Sequence, residues 1–165
     1  MADIDGLMKD VKSDEVYYDE EQEQGSVEPG TYEASIVALR RKLNIKTRGG
    51  HLCDIYWPRY KISNDSPTFS NRLVRDRGQF RYRAPEVSQR NIHYKKFLDR
   101  AGISLSKIEV DGNIRYALPA ISEDMILGKK VLINVYKEEW SDSRGYHNEP
   151  VAKLVKIIGD SDAVH

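Results

Sequence analysis

The sequence predicts a mainly β domain of five short strands, with one helix between the third and fourth, behind a flexible acidic arm. Three observations predict it. Apolar residues alternate with polar ones in several short stretches, as one-sided strands require. The period shifts to helical spacing once, between Ser88 and Gly102. Charge is segregated along the chain: residues 1–29 hold ten Asp/Glu and two Lys, a net of −8, while residues 40–100 hold sixteen Lys/Arg and five Asp/Glu, a net of +11.

The arm comes first. Residues 14–26 are polar and like-charged, and bury too little apolar surface to offset their ordering entropy. Ile4, Leu7, Met8 and Val11 sit at helical spacing, a pattern as compatible with chance as with a short docking helix. Met1 to Lys12 has neither the basic start nor the apolar stretch of a signal peptide. No apolar run approaches the roughly 20 residues that span a bilayer, so no membrane role is expected. The lone Cys53 cannot form an internal disulfide and fits a reducing, cytoplasmic setting.

Pro29-Gly30 is a turn signal that opens the domain, expected over residues 30–159, with 160–165 as a short tail. Thr31 to Leu43 reads as strand one, with Tyr32, Ala34, Ile36 and Ala38 on one side. Thr47-Arg48-Gly49-Gly50 breaks it. His51 to Ile62 is strand two, where Pro58 implies a bulge or an edge. Phe69 to Arg83 is extended, with a break at Arg77-Gly78. Ser88 reads as an N-cap and Gln89 to Ala101 as the helix, stopped by Gly102. Asp111-Gly112-Asn113 suggests a short hairpin. Val131, Ile133 and Val135 mark strand four, residues 140–150 a long polar loop, and Val151 to Ile158 the last strand. Three strands, a helix and two strands is the order of a five-stranded Greek-key barrel of the OB type, which also disposes of exposed strand edges.

The segment from Arg40 to Arg83 carries the chemistry. It interleaves cations with Tyr56, Trp57, Tyr60, Phe69, Phe80 and Tyr82. Cations track a phosphate backbone, and aromatic faces stack the bases that only a single strand leaves exposed. From Arg72 to Arg83 there are five Arg and no Lys, and Arg suits both tasks better. Residues two apart in a strand share a face. Thus Arg75 and Arg77 share one, as do Arg81 and Arg83; if Phe80 and Tyr82 point into the barrel, the arginines face out along one track. Tyr56 and Tyr60 fall opposite Trp57 and Arg59, provided Pro58 keeps the register. One of those faces must be core, and Trp57 is the expected base platform. The candidate interface is Arg40, Arg41, Lys42, Lys46, Arg48, Tyr56, Trp57, Arg59, Arg72, Arg75, Arg77, Arg81, Arg83 and Trp140, with the loops at 46–50 and 141–148 flanking it.

Nothing indicates catalysis. There is no P-loop, no zinc-type cysteine pair and no His-Glu-x-x-His. His51 and Cys53 can share a strand face, but two ligands do not make a metal site. His93, His147 and His165 read as surface residues, and Glu138, Glu139 and Asp142 as a solvated turn. The expectation is a non-enzymatic binder of single-stranded DNA, or of RNA, with no cofactor and no metal.

Two stretches resemble a known family. Pro29-Gly30-Thr31-Tyr32-Glu33-Ala34-Ser35-Ile36 and the basic, glycine-bearing loop after it resemble the opening of phage single-stranded-DNA-binding proteins. Leu127-Gly128-Lys129-Lys130-Val131-Leu132-Ile133-Asn134-Val135, with the Glu- and Trp-containing loop and last strand, resemble their closing half. The resemblance runs from Glu28 to Gly159. It implies an OB-fold, single-strand protection during phage replication or recombination in the host cytoplasm, replication or recombination proteins as partners, and often dimers. Such proteins commonly end in an acidic tail that competes with DNA. Here the acidic run is N-terminal, so residues 14–23 are expected to compete instead. The competing expectation is a structural or assembly protein of a virion or other complex, docking through the basic barrel and the acidic arm.

Overall fold

A computed structural model describes Val16 and residues 25–160. The spaced apolar residues Ile4 to Val11, the acidic run apart from the exposed Val16, and residues 161–165 lie outside the described residues. The fold is mainly β, with eight strands among the described residues: β1 (Gly30–Lys46), β2 (Leu52–Ile62), β3 (Leu73–Arg75), β4 (Gln79–Tyr82), β5 (Lys107–Val110), β6 (Asn113–Tyr116), β7 (Lys129–Asp142) and β8 (Gly145–Asp160). A 3₁₀ segment over Pro85–Asn91 leads into α1 (Ile92–Arg100), and α2 (Glu123–Ile126) is a single turn.

The main sheet is antiparallel, in the order β3-β2-β1-β7-β8, and β4 also pairs with β2. This corrects the expectation of a closed five-stranded barrel: the sheet is open. Its two ends approach through one isolated parallel bridge, Asp76 to Ala152, where the Arg77 N–H donates to the Ala152 carbonyl at 3.0 Å. The helix falls between β4 and β5 because the expected third strand is two strands. Pro58 supplies no N–H to a neighbour, and opposite it the chain leaves the ladder at residues 76–78. The Asp76 N–H still donates to the Pro58 carbonyl at 2.8 Å, and the register on β1 slips between Ile36 and Ala38. Pro58 therefore sits in a central strand, not at an edge, paired with Leu39, and the bulge beside it is on β1.

The hairpin expected at residues 111–113 is present as β5–β6, a separate two-stranded sheet. Asp111 (φ 52°) and Gly112 (φ 80°) both take the left-handed conformation that a two-residue hairpin turn demands. The expected polar loop at 140–150 is instead strand. β7 and β8 pair from Lys129/Asp160 to Asp142/Gly145, so only Ser143 and Arg144 form the turn. Both faces of this hairpin are polar near its tip, which hides the period-2 signal. The helix begins at Ile92, not Gln89; Pro85 fits the first turn of the 3₁₀ segment, having no N–H to lose. Gly102 (φ 72°) ends it as expected.

The core lies between the inner face of the sheet and α1. Ala34, Ile36, Tyr56, Tyr60, Ile62, Val131, Ile133, Val135 and Leu154 meet Tyr94, Phe97 and Leu98. Burying each large side chain contributes roughly 1.5–3 kcal/mol. Val27 is buried in the same cluster, so the packed domain starts a few residues before Gly30. Among the described residues no helix is long and apolar enough to cross a membrane.

Candidate nucleic-acid interface

β2 is the axis of the site. Its even-numbered residues Asp54, Tyr56, Pro58, Tyr60 and Ile62 are buried, while Ile55, Trp57, Arg59 and Lys61 look outward. The ladders then dictate their neighbours. Arg40 of β1 stands opposite Trp57, and Lys42 opposite Ile55. On the other side Phe80 of β4 stands opposite Ile55, and Arg75 of β3 opposite Arg59. Directly opposed residues share a face, so one outer surface collects Arg40, Lys42, Trp57, Arg59, Arg75 and Phe80. The Arg40 guanidinium lies 5.7 Å from the Trp57 ring centroid, within cation–π range.

Two grooves flank this row. The first, about 500 Å³, is lined by Ala38, Leu39, Arg40, Trp57, Arg59 and Arg75. Ala38, opposite Arg59, leaves the space between the two arginines open. The second, about 520 Å³, runs past Arg77, Gly78 and Phe80 to Tyr82, Arg90 and His93. Gly78 joins them. Its φ of 108° suits glycine, and a Cβ there would lie 3.0 Å from Trp57 Nε1 and 3.5 Å from Phe80 Cε1. Backbone and the two rings are in close contact at this point.

The structure separates the five arginines of residues 72–83. Phe80 is 44% exposed, and Tyr82 lies half-buried beneath the Arg90 guanidinium at 5.7 Å. The expected inward aromatic pair thus faces outward, and Arg81 turns to the other side. The cause is Asp54, opposite Arg81 in the ladder and 1% exposed. A buried carboxylate must be paired. Arg81 Nη1 donates to Asp54 Oδ2 at 2.9 Å, its Nε donates to the Leu118 carbonyl at 2.9 Å, and the Asn44 N–H donates to Asp54 Oδ1 at 2.9 Å. Arg83 Nη1 stands 3.8 Å from the same carboxylate. Arg81 is therefore a structural residue rather than part of an outward track.

Arg75 remains on the outer face but is engaged. It forms a close ion pair with Glu149 and lies 3.7 Å from Glu138, which ties β3 to the β7–β8 hairpin. That pairing offsets the like charge of Arg59 directly opposite, which stays exposed. Arg77 lines the second groove, and its Nε is buried without a partner. Asp76 between them is fully buried and accepts from Tyr60 Oη (2.7 Å), the Gly78 N–H (2.8 Å) and Gln79 Nε2 (2.8 Å). Burial still pushes its carboxyl up to about 6.

The remaining candidates fall elsewhere. Tyr56 is fully buried in the core, which removes it from the interface. Arg41, Lys46 and Arg48 are exposed toward the end of the β1–β2 hairpin, and Arg72 precedes β3; none of them lines either groove. Trp140 stacks on His147 across the β7–β8 hairpin, at 5.0 Å and 22°, and His147 Nε2 lies 2.9 Å from Asp142 Oδ1. Cys53 is buried, and burial, then Asp54, raise its thiol, so it is no poised nucleophile. Among the described residues no cluster of three His, Cys, Asp or Glu could hold a metal.

Arg90 and His93 escape the sequence reading because the helical segment offers no strand parity to place them. The inward turn of Arg81 does have a signal: Asp54 shares the parity of Tyr56 and Tyr60, so its carboxylate needs a cation on the core side. No protein-family model and no curated protein matches this chain.

Proposed function

We infer that the protein binds single-stranded DNA with little sequence preference, and that its open sheet is a variant of the OB-type scaffold. One observation carries the reading: Trp57 and the exposed Phe80 share a surface with Arg40, Arg59 and Lys42, and two grooves are lined by these rings and arginines. Rings that can stack bases, interspersed with cations that can meet phosphates, suit a strand with unpaired bases better than a duplex, whose base faces are already stacked. The bridge between Asp76 and Ala152, which brings the two ends of the sheet together, supports the OB-type comparison. In this reading the protein protects single strands during phage replication or recombination in the host cytoplasm. It works with replication or recombination proteins there, in line with the resemblance at Pro29–Ile36 and Leu127–Val135.

Tryptophan fluorescence titrated with oligo-dT tests it. The expected result is quenching by oligo-dT, weak response to duplex, and affinity that falls steeply with salt as counterions are released. Oligo-rU in the same titration separates DNA from RNA preference. Silence toward every oligonucleotide rejects the reading.

A second reading, assembly on a partner protein, is favoured by the β5–β6 hairpin. Ile108, Ile114 and Tyr116 are exposed on it, and Tyr116 lines a groove of about 1190 Å³ shared with α1. Binding to neither oligo-dT nor oligo-rU would leave this reading as the stronger.

A further inference from the structure

We propose that the second groove is a distinct nucleotide subsite, in which Phe80 or Tyr82 stacks a base and Arg90 with His93 holds the adjoining phosphate. The proposal rests on the single-strand reading above and extends it beyond the strands, onto the 3₁₀ segment and the first turn of α1.

Four observations support it. First, the groove adjoins the row of rings: a Cβ at Gly78, which lines the second groove, would stand 3.0 Å from Trp57 of the first groove and 3.5 Å from Phe80 of the second. Second, the site is preorganised. The Tyr82 N–H donates to Asn91 Oδ1 at 2.7 Å, and Asn91 Nδ2 donates back to the Tyr82 carbonyl at 2.9 Å. This reciprocal pair of hydrogen bonds fixes the segment carrying Arg90 against the strand carrying Tyr82, which lowers the cost of ordering on binding. Third, the Arg90 guanidinium rests over the Tyr82 ring, and no carboxylate among the described side chains pairs with it. It differs in this from Arg81 and Arg75, whose charges are already met. Fourth, the one acidic side chain lining the groove, Glu138, lies within ion-pair distance of Arg75.

The consequence is a strand path from Arg40 over Trp57 and Phe80 to Arg90, longer than either groove alone. The test compares wild type with the double variant Arg90→Ala/His93→Ala and with Phe80→Leu, by fluorescence anisotropy of labelled dT12 at several salt concentrations. The double variant is expected to bind about tenfold more weakly. Its log–log salt slope should be shallower by about 0.7 for each phosphate that is no longer neutralised. A merely structural role for these residues would not move that slope. Phe80→Leu should weaken binding about tenfold with an unchanged slope, since it removes a ring and no charge. If wild type binds dT12 and both variants match it in affinity and slope, the subsite is overturned while the single-strand reading stands. If wild type itself fails to bind, the reading beneath the proposal falls and the subsite with it.

Discussion

The two faces of β2 carry similar residue types to opposite ends. On the inner face Asp54, Tyr56 and Tyr60 are buried, and the cation that meets Asp54, Arg81, is held by hydrogen bonds to a carboxylate and a carbonyl. On the outer face Trp57 and Arg59 stand beside Arg40 with no carboxylate among the described side chains pairing them, and the charge and ring surface remain available. A count of arginines therefore does not measure binding capacity. Arg81 is taken up by the buried Asp54 and Arg75 by the exposed Glu149, and the cations left over form the proposed interface.

Removing the inner acid should break this contrast most severely. Asp54→Ala strands Arg81 and the Asn44 N–H, and a cost of about 3 kcal/mol is expected in urea unfolding, at the low end for a broken buried pair because Arg81 is partly exposed. Oligonucleotide affinity, measured where the variant is still folded, should barely change. On the outer face the pattern should invert: Trp57→Ala should cost about 2 kcal/mol of oligo-dT affinity, roughly 30-fold, with little change in unfolding midpoint.

A smaller effect belongs to Asp76. Its folded-state carboxyl titrates at about 6, above the ordinary 3.8, so the stability linked to it is fully present below about 3.8 and is lost as pH rises through 6. Between pH 5 and pH 7 this amounts to about 1 kcal/mol. Asp76→Asn should flatten that part of the pH profile in urea melts at the two pH values. The finest distinction is Arg59→Ala, which should reduce the oligo-dT salt slope by about 0.7 with stability unchanged. Arg81→Ala should do the reverse. Deleting residues 1–26, which spares the buried Val27, should tighten binding modestly at low salt if the acidic arm competes for the basic face; an unchanged dissociation constant would reject that competition.

Much of the scaffold is legible in the chain itself. The alternation in Tyr32–Ile36 and Val131–Val135, the turn residues Asp111-Gly112 and the stop at Gly102 each express a local preference that the fold keeps, whereas the register shift after Ile36 moves Ala38, expected on the same side, to the outer face opposite Arg59. The opposite faces of Tyr56/Tyr60 and Trp57/Arg59 follow from strand parity, because Pro58 does not shift the β2 register. The β7–β8 tip reads as a loop because its polar residues pair across the hairpin with neither face buried, so no hydrophobic period marks it.

Local backbone preference, the segregation of charge and the two-residue period of β2 were determined by the sequence alone. Which rings and arginines meet on one surface was decided only by tertiary structure. Two long-range choices made it: β4 aligned Arg81 with Asp54, and β3 met the β7–β8 hairpin through Arg75 and Glu149. For Asp54 the physical reason is the cost of a buried unpaired charge, and for both pairs the partners lie far apart in the chain, so the sequence around either one does not name the other.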